Sequence, residues 1–521
     1  MTAKGNYKTP PFGGFCRRAK CMGRGLGLGG LVWGSLFALA VVLFFGLAYP
    51  HHLHYQEQYQ MFLFDGRYAW ELVRLPGGVA DLLGRFCTQF FLYAWAGAFI
   101  IGVMLAAVQL LTLRLARWGW LYGLSFVPSF LLWLFLLDEN ALLGGVWAVL
   151  LALLASWGFD KVPEGWPRRV GLLLMAPLLY WMLGPLSLVF FLVQARRSGL
   201  SAWYVGALLL LALQPLLLAH CLPVPAARLW TGVHYHRYPT AFPTMLWVAA
   251  LSASLLPLLA HALSRWMKGA TRPVALFASF VLVAAGMGTV VWKNCNFKAE
   301  KIMQYDFMAR HQQWNRILDT ISKEKPNNQI GVTVQNLALA MRGQLINSLA
   351  EYNQNGMLGL LPDVQRDATS SLPTAEAFYQ LGMMYAAQRT VYEAQEAILD
   401  FQKSARCYKR LAETNLINGS YDVARKYLMV LEKTLFYRNW ARETMALLGN
   451  EEAIARHPEY GRLRQCAPTE DCYFGDHLDP KMLESLYLSH PDNGLAYQYM
   501  MASFLLTGNR ESFMHYATKK Q

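Results

Sequence analysis

Apolar and polar positions divide this chain into two regions of different character. The first roughly 290 residues contain about eight apolar stretches that are long enough to cross a bilayer, whereas the remaining residues contain none. The pattern predicts an all-α protein with a basic cytoplasmic tail (1–25), a polytopic transmembrane domain (26–292) and a soluble helical domain (293–521). The expected spans are Leu26–Tyr49, Cys87–Leu113, Trp120–Leu137, Ala141–Phe159, Val170–Val193, Ala202–Leu218, Phe242–Leu263 and Val274–Trp292.

Basic residues beside the spans predict how the chain is oriented. Cytoplasmic loops of membrane proteins carry an excess of lysine and arginine, and the tail before the first span is rich in both. The N-terminus is therefore expected in the cytoplasm. Counting every apolar stretch as one crossing would then place Arg196, Arg197 and the basic loop 265–272 on the opposite side, which contradicts the charge rule twice.

The stretch Val170–Val193 offers a way to remove this contradiction. It is interrupted by Pro177 and by Gly184-Pro185, and a proline within a helix removes a backbone donor and clashes with the preceding turn. We expect a re-entrant pair of half-helices that breaks near Gly184-Pro185 and returns to the cytoplasmic side; a kinked single span is the alternative. The re-entrant topology places the loop His220–Pro243 and the C-terminal domain outside, in the periplasm if the chain lies in a Gram-negative inner membrane.

Composition supports a membrane protein and argues against a nucleic-acid-binding protein and against a cysteine-based metal site. The chain is 55% hydrophobic and only 15% charged, with a mean hydropathy of +0.22. Its net charge of +14 comes from basic residues at the ends of spans, so nucleic acid is not an expected partner. The eight cysteines include no metal-binding spacing. Cys466 and Cys472 bracket a short polar loop and either form a disulfide there or stay free.

The C-terminal domain carries weak signs of helical repeats. Leu381-Gly382 followed by Tyr385 resembles the core of a tetratricopeptide repeat. A second match is formed by Gly419, Tyr421, Ala424 and Tyr427. These matches predict a solenoid, an architecture that often binds a partner protein on its concave face. The alternative is an irregular helical bundle that supports the membrane domain.

The loop after the first span contains the first group of candidate site residues. Glu57 and Asp65 are candidate catalytic carboxylates, with His54 and Arg67 as candidate substrate-binding residues beside them. A carboxylate at the membrane surface can act as a general base or hold a divalent cation beside a phosphate-bearing substrate. A paired interfacial carboxylate at Glu57 and an Asp-Gly turn at Asp65 are the structural alternatives.

A second group of candidates is expected on the same side of the membrane. Asp138 and Glu139 lie in a short turn between two spans, and the loop His220–Pro243 contains Arg228, His234, His236 and Arg237. An arginine can bind a diphosphate through two parallel hydrogen bonds, so these residues are candidate substrate ligands. An ordinary loop at the headgroup surface is the alternative. The sequence contains no P-loop, no serine-hydrolase elbow, no HExxH motif and no dinucleotide fingerprint, which argues against cytosolic ATP-driven chemistry.

This layout resembles the GT-C superfamily of membrane glycosyltransferases. Members have one span after a short tail, then a long outer loop with an acidic residue, many further spans and often a periplasmic domain. The resemblance implies a polyprenyl-phosphate-linked sugar as donor and places the acidic position on Glu57 or Asp65. The chain also resembles an uncharacterised bacterial family of membrane proteins with the same helical tail. Two other functions stay open: a membrane-anchored scaffold for an envelope or secretion assembly, and a transporter of a lipid-linked substrate.

Overall fold

Helices form all of the regular structure in the part of the chain that the structure describes. This computed structural model describes residues 32–116, 122–263, 273–363, 367, 370–400, 402–468 and 480–519. Within these ranges β-pairing is limited to two isolated bridges. The predicted all-α fold class is confirmed. The predicted cytoplasmic tail (1–25) and Cys472 lie outside the described residues, so the pairing of Cys466 stays a prediction.

The chain forms two compact units whose boundaries differ from a simple division at residue 293. Unit 1 comprises Met1–Ala48, Leu72–Gly84 and Trp95–Cys295, and unit 2 comprises Tyr49–Glu71, Arg85–Ala94 and Asn296–Gln521. Unit 2 therefore includes most of the loop that follows the first helix. The reason is backbone pairing: the Met61 N–H donates to the Lys403 carbonyl at 3.0 Å, and the Phe64 N–H donates to the Lys433 carbonyl at 2.8 Å.

The helices up to residue 293 include those of unit 1 and the first helices of unit 2. They are α1 (Val32–Ala48), α2 (Pro50–Glu57), α3 (Gly66–Val73), α4 (Gly78–Thr88), α5 (Ala94–Ala116), α6 (Val127–Phe135), α7 (Leu143–Phe159), α8 (Trp166–Leu183), α9 (Leu188–Ser198), α10 (Ala202–Cys221), α11 (Ala226–Thr231), α12 (Thr244–Leu263) and α13 (Pro273–Lys293).

Length and composition identify the helices that fit a bilayer. Among the described residues, the segments Ala94–Ala116, Trp166–Ser198, Ala202–Cys221 and Thr244–Ala262 are long and apolar enough to cross it, and up to six spans result if each of two bent helix pairs is counted as one. Leu143–Phe159 is a shorter apolar helix. These helices fit a multi-pass membrane protein. Because α2 is polar and belongs to unit 2, we treat the first span as ending at Ala48.

The segment Trp166–Ser198 folds back on itself between α8 and α9. Near its two ends, Arg168 Nη2 donates to Gln194 Oε1 at 2.5 Å although 26 residues separate them. In one continuous helix these residues would lie about 39 Å apart. The chain reverses at Gly184, whose φ of +68° lies in the region that favours glycine. This hairpin has the geometry that a re-entrant pair requires; the side of the membrane on which its ends lie stays a prediction.

The C-terminal part of unit 2 is built from short antiparallel helices. Its helices are α14 (Phe297–Arg310), α15 (Trp314–Glu324), α16 (Gln329–Met341), α17 (Leu345–Ser348), α18 (Met357–Leu360), α19 (Ser371–Leu381), α20 (Met384–Glu396), α21 (Ala405–Ile417), α22 (Tyr421–Leu431), α23 (Arg438–Met445), α24 (Glu451–Arg456), α25 (Tyr460–Cys466), α26 (Pro480–Ser489), α27 (Gly494–Thr507) and α28 (Arg510–Lys519). Gly382 joins α19 to α20 with φ +88°, and Gly419 joins α21 to α22 with φ +77°. Both glycines belong to the repeat matches in the sequence, and each turns the chain into a helical hairpin.

Side chains near the C-terminus close the ends of three earlier helices. The last carbonyls of a helix have no partner within that helix. Gln498 Nε2 donates to the Ala340 carbonyl of α16 at 3.1 Å, and Asn493 Nδ2 donates to the Leu381 carbonyl of α19 at 3.0 Å. Arg464 donates in the same way to the last carbonyls of α21. The C-terminal helices are therefore an integral part of unit 2, and whether its helices form a solenoid stays a prediction.

Candidate functional site

A polar cluster lies at the N-terminal end of α7, where segments distant in sequence meet. The Arg237 N–H donates to the Asn140 carbonyl at 2.9 Å, and the Leu142 N–H donates to the Tyr235 carbonyl at 3.2 Å. An isolated antiparallel bridge joins Ala141 to His236. These bonds attach the loop between α11 and α12 to the turn before α7. The bonds thereby bring together five of the predicted site residues: Asp138, Glu139, His234, His236 and Arg237.

The buried centre of this cluster is a carboxylate facing an imidazole. Asp81, in the first turn of α4, is 1% exposed, and its Oδ2 lies 3.8 Å from Nδ1 of His234, whose side chain is 8% exposed. This distance is an ion-pair distance if the ring is protonated, and it is longer than a hydrogen bond. A Cβ atom at Gly144 would lie 3.0 Å from the His234 carbonyl oxygen and 3.2 Å from the Asp81 Cα. Glycine at this position thus allows α7 to approach both residues closely.

A second carboxylate–imidazole pair lies at the surface of the cluster. His236 Nε2 is 3.0 Å from Asp138 Oδ2, and His236 Nδ1 accepts the Tyr238 N–H at 3.1 Å. This pattern assigns the proton to Nε2, which donates to Asp138. Burial opposes ionisation of Asp138, but the hydrogen bonds from His236 and Asn140 outweigh it and hold the pKa of the Asp138 carboxyl below its ordinary value. The pair orders the loop that contains His234.

The two predicted arginines of this loop have different environments. Arg237 is 5% exposed, and its guanidinium carbon lies 5.6 Å from the centre of the Tyr238 ring. Arg228 Nη2 donates to the Val233 carbonyl at 2.5 Å and so braces the loop backbone. Arg237 therefore lies within the cluster, while Arg228 helps to shape the loop.

The tip of the α8–α9 hairpin meets the same loop. The Tyr235 hydroxyl donates to the Leu183 carbonyl and accepts the Leu186 N–H at 3.4 Å. The Tyr180 hydroxyl donates to the Leu229 carbonyl at 2.8 Å. The turn before α4 is attached as well, because the Gly77 N–H donates to the Trp181 carbonyl at 2.8 Å. The cluster is thus enclosed by the starts of α4 and α7 and by the hairpin tip.

The opposite end of α7 carries basic residues. Asp160, which follows α7, pairs with Arg196, and Glu164 pairs with Arg197 at 3.0 Å. Gln194 Nε2 donates to the Ser156 carbonyl at 3.0 Å. Since α7 has 17 residues, the polar cluster and this basic end lie about 25 Å apart. Unit 1 therefore separates its carboxylate–imidazole pairs from its basic loop ends by nearly the thickness of a hydrocarbon core.

In unit 2, Glu57 occupies a different kind of polar site. Glu57 is 4% exposed, Tyr437 donates to its Oε1 at 3.3 Å, and Arg310 Nη2 in turn donates to the Tyr437 hydroxyl at 3.0 Å. Burial raises the pKa of the Glu57 carboxyl, and the nearby Arg310 guanidinium opposes this rise. Glu57 Oε2 has no hydrogen-bond partner among the described residues. It borders a small, shallow pocket whose polar lining includes Gln60 and Gln89.

The other predicted residues of this loop have structural partners. Asp65 forms an ion pair with Lys433 and accepts the Arg67 N–H at 2.9 Å, and the bond from Lys433 lowers the pKa of the Asp65 carboxyl. Asp65 is not among the residues that line the pocket beside Glu57. His54 stacks on Phe307 with 4.4 Å between ring centres, and burial lowers its pKa to about 3. A neutral, stacked imidazole at this position packs α2 against α14.

Asp81 is a candidate site residue that the sequence analysis did not select. Asp81 is contacted by His234 and lies close to Gly144, both of which are distant along the chain, so no local spacing identifies it. The run Gly77-Gly78 before Asp81 is the available signal, because it marks the start of a helix. Within the described ranges, no group of three or more histidine, cysteine, aspartate or glutamate side chains is arranged to hold a metal ion.

Comparison with known proteins gives a family but no activity. No curated protein and no solved structure gives a significant match to this chain. Residues 27–521 match a family described only as a family of unknown function. Because that match covers the transmembrane region and the helical tail together, the chain belongs to the family of unknown function DUF6057.

Proposed function

We propose that this protein is a membrane glycosyltransferase that moves a sugar or glycan from a polyprenyl-phosphate carrier to an acceptor outside the cytoplasm. The observation that supports this best is the buried Asp81–His234 pair at the end of α7, opposite the basic end. By the positive-inside rule the basic end faces the cytoplasm, so the pair faces the outer leaflet. In a Gram-negative cell this corresponds to the periplasmic side of the inner membrane.

Glycosyl transfer requires two kinds of group, and the cluster offers both. A base takes the proton from the acceptor hydroxyl while the hydroxyl oxygen attacks the anomeric carbon of the sugar. The bond from that carbon to the carrier phosphate breaks, and its electron pair leaves with the phosphate. Asp81, supported by His234, is placed to act as the base. Arg237 and the backbone N–H groups at the starts of α4 and α7 offer positive charge to the leaving phosphate. A divalent cation could share that role.

Access to the site requires movement of one loop. Asp81 is 1% exposed, so a carrier phosphate reaches it only if the loop after α11 is displaced. This loop begins at Gly232, whose φ of +117° marks a backbone position suited to glycine. The Asp138–His236 bond holds the loop in its closed position. We place the base on Asp81 rather than on Glu57, because Asp81 belongs to the unit that contains the candidate spans and lies opposite its basic end.

The proposal is tested by replacing Asp81→Asn in a strain that otherwise lacks the protein. Polyprenyl-phosphate-linked sugars and envelope glycans are measured by mass spectrometry. Wild type should restore a glycan that is missing from the deletion strain, and Asp81→Asn at equal abundance should not. Glu164→Gln, which removes an exposed acid at the other end of α7, serves as the matched control and should restore the glycan. An unchanged glycan profile in the deletion strain would exclude the proposal and favour a scaffold that binds partner proteins through its helical tail.

Transport of a lipid-linked substrate is the second candidate, because the α8–α9 hairpin places a broken helix beside the site. Broken helices line the binding sites of many transporters. The two functions predict different products. A transferase releases the carrier phosphate and forms a new glycoside, whereas a transporter leaves the lipid-linked sugar intact and changes only its leaflet.

A further inference from the structure

Seven aromatic rings of unit 2 form a continuous ridge, which we call the aromatic ridge. Neighbouring rings contact one another with 5.1 to 6.4 Å between their centres, mostly edge to face. Such edge-to-face contacts stabilise a fixed arrangement of rings. The members come from three separate parts of the chain: Phe62, Phe64, Tyr68, Phe86, Phe90, Tyr93 and Phe436.

Three of the seven rings and an adjacent leucine are largely exposed. Phe64 is 46% exposed, Phe86 37% and Tyr93 58%, and the adjacent Leu435 is 41% exposed. Single exposed apolar residues are common on proteins, but a contiguous patch of large rings marks a surface that contacts another apolar phase. We therefore expect the ridge to contact an apolar partner.

The backbone holds the ridge in place before any partner arrives. The strand-like stretch from Met61 to Phe64 is bonded at one end to Lys403 and at the other to Lys433. The Lys433–Asp65 ion pair fastens its far side. Met61 is 5% exposed and packs with Leu428 and Leu431 beneath the rings. The exposed rings thus rest on a packed core and are not a loosely attached loop.

Chain connectivity places one end of the ridge next to a candidate membrane span. Tyr93 directly precedes Ala94, the first residue of the candidate span α5. Two of the early residues of α5, Trp95 and Phe99, are 52% and 61% exposed, as expected for lipid-facing positions. Tyrosine and tryptophan, the residue types at positions 93 and 95, are enriched where a span meets the headgroup layer. One end of the ridge therefore lies within one residue of the start of a candidate span.

We propose that the aromatic ridge inserts into the headgroup and upper acyl region of the bilayer and binds phospholipid there. The neighbouring helix α3 has the composition of an interfacial helix, with Trp70 68% exposed and Arg67 also exposed. The proposal does not depend on the activity of the protein. It makes unit 2 a domain that contacts lipid through its own surface as well as through its connections to the spans.

Site-specific photo-crosslinking in native membranes tests this proposal. p-Benzoylphenylalanine is placed at Phe64, Phe86 or Leu435 of the full-length protein, one position at a time, and the membranes are irradiated. Tyr385 on α20, which is 45% exposed, is the matched control for an exposed aromatic position outside the ridge. Phospholipid adducts are measured by mass spectrometry of the purified protein, and thermal unfolding confirms that each variant folds.

The expected result is a several-fold higher yield of phospholipid adduct at the ridge positions than at Tyr385. Equal yields at Tyr385 and at the ridge would show nonspecific capture and overturn the proposal. Absence of lipid adducts at all ridge positions would overturn it as well. Adducts with a protein in place of lipid would assign the ridge to a protein interface and exclude the membrane as its partner.

Discussion

The cluster around Asp81 and the network around Glu57 both bury a carboxylate, but they give it different partners. Glu57 lies in a network with Arg310, whose guanidinium stays charged at every accessible pH. Asp81 faces His234, a residue type that exists in a neutral and a protonated form. A permanent cation stabilises one charged arrangement, whereas an imidazole can exchange a proton with its neighbour. The comparison is the basis of our proposal that Asp81 carries the chemistry and that Glu57 stabilises unit 2.

The largest expected effect separates the two carboxylates in one transfer assay. Asp81→Asn removes the proposed base and should lower the transfer rate by roughly 100-fold or more. Glu57→Gln should retain most of the activity, because an amide can still accept from Tyr437. Rates are measured in reconstituted vesicles at matched protein abundance. If Glu57→Gln abolishes transfer and Asp81→Asn does not, the two assignments must be exchanged.

The next effect concerns the stability of unit 2. Arg406 donates to both carboxylate oxygens of Asp306, at 2.5 and 2.8 Å, and also to Gln58 at 3.0 Å. Removing one partner of a buried pair leaves the other charge uncompensated, so Arg406→Ala should cost about 3–5 kcal/mol. Thermal unfolding of the full-length protein in detergent measures the loss. Arg425→Ala, which breaks an exposed pair with Asp422, is the control, and an equal shift for both variants would contradict the prediction.

The same contrast shows what sequence can and cannot predict here. Some features follow from local properties of the chain and can be predicted from sequence. Apolar runs predict the helical class, Gly184-Pro185 predicts the break between α8 and α9, and the glycines at 382 and 419 predict the helical hairpins. The pair Asp81–His234 depends on tertiary contact between residues far apart in the chain, which no local pattern encodes. Asp65 was selected for its place after a span, yet its Asp-Gly turn and its ion pair with Lys433 give a structural account of it.

A group of histidines in unit 2 predicts a dependence of stability on pH. Burial lowers the pKa of His51 to about 4, of His54 to about 3 and of His311 to about 4. The unfolded chain binds protons at these residues near pH 6.5, whereas the folded chain resists them until the pH is much lower. The stability they contribute is present above about pH 6.5 and is lost as the pH falls towards 4. The melting temperature should therefore decrease as the pH is lowered from about 6.5 to 4.

Protonation of Glu300 changes the stability of the folded state in the opposite direction and provides the control. It accepts the N–H groups of His51 at 2.8 Å and His52 at 2.9 Å, and burial raises its pKa to about 7. The folded state therefore binds this proton more tightly than the unfolded chain, which favours folding as the pH falls from 7 to about 4.5. Glu300→Gln removes that opposing contribution. Its melting temperature should fall more steeply between pH 7 and 5 than that of wild type, and a shallower fall would show that the sign is wrong.

The smallest expected effect is that of Asp65→Asn. Asparagine keeps an oxygen that can accept the Arg67 N–H, so the turn is retained and only the ion pair with Lys433 is lost. Exposed ion pairs are screened by solvent and salt, and they contribute little to stability. The variant should unfold at the wild-type temperature at low and at high salt, and it should transfer substrate at the wild-type rate. A loss of transfer without a loss of stability would make Asp65 a catalytic residue, and the active site would then have to be sought in unit 2 and not at the end of α7.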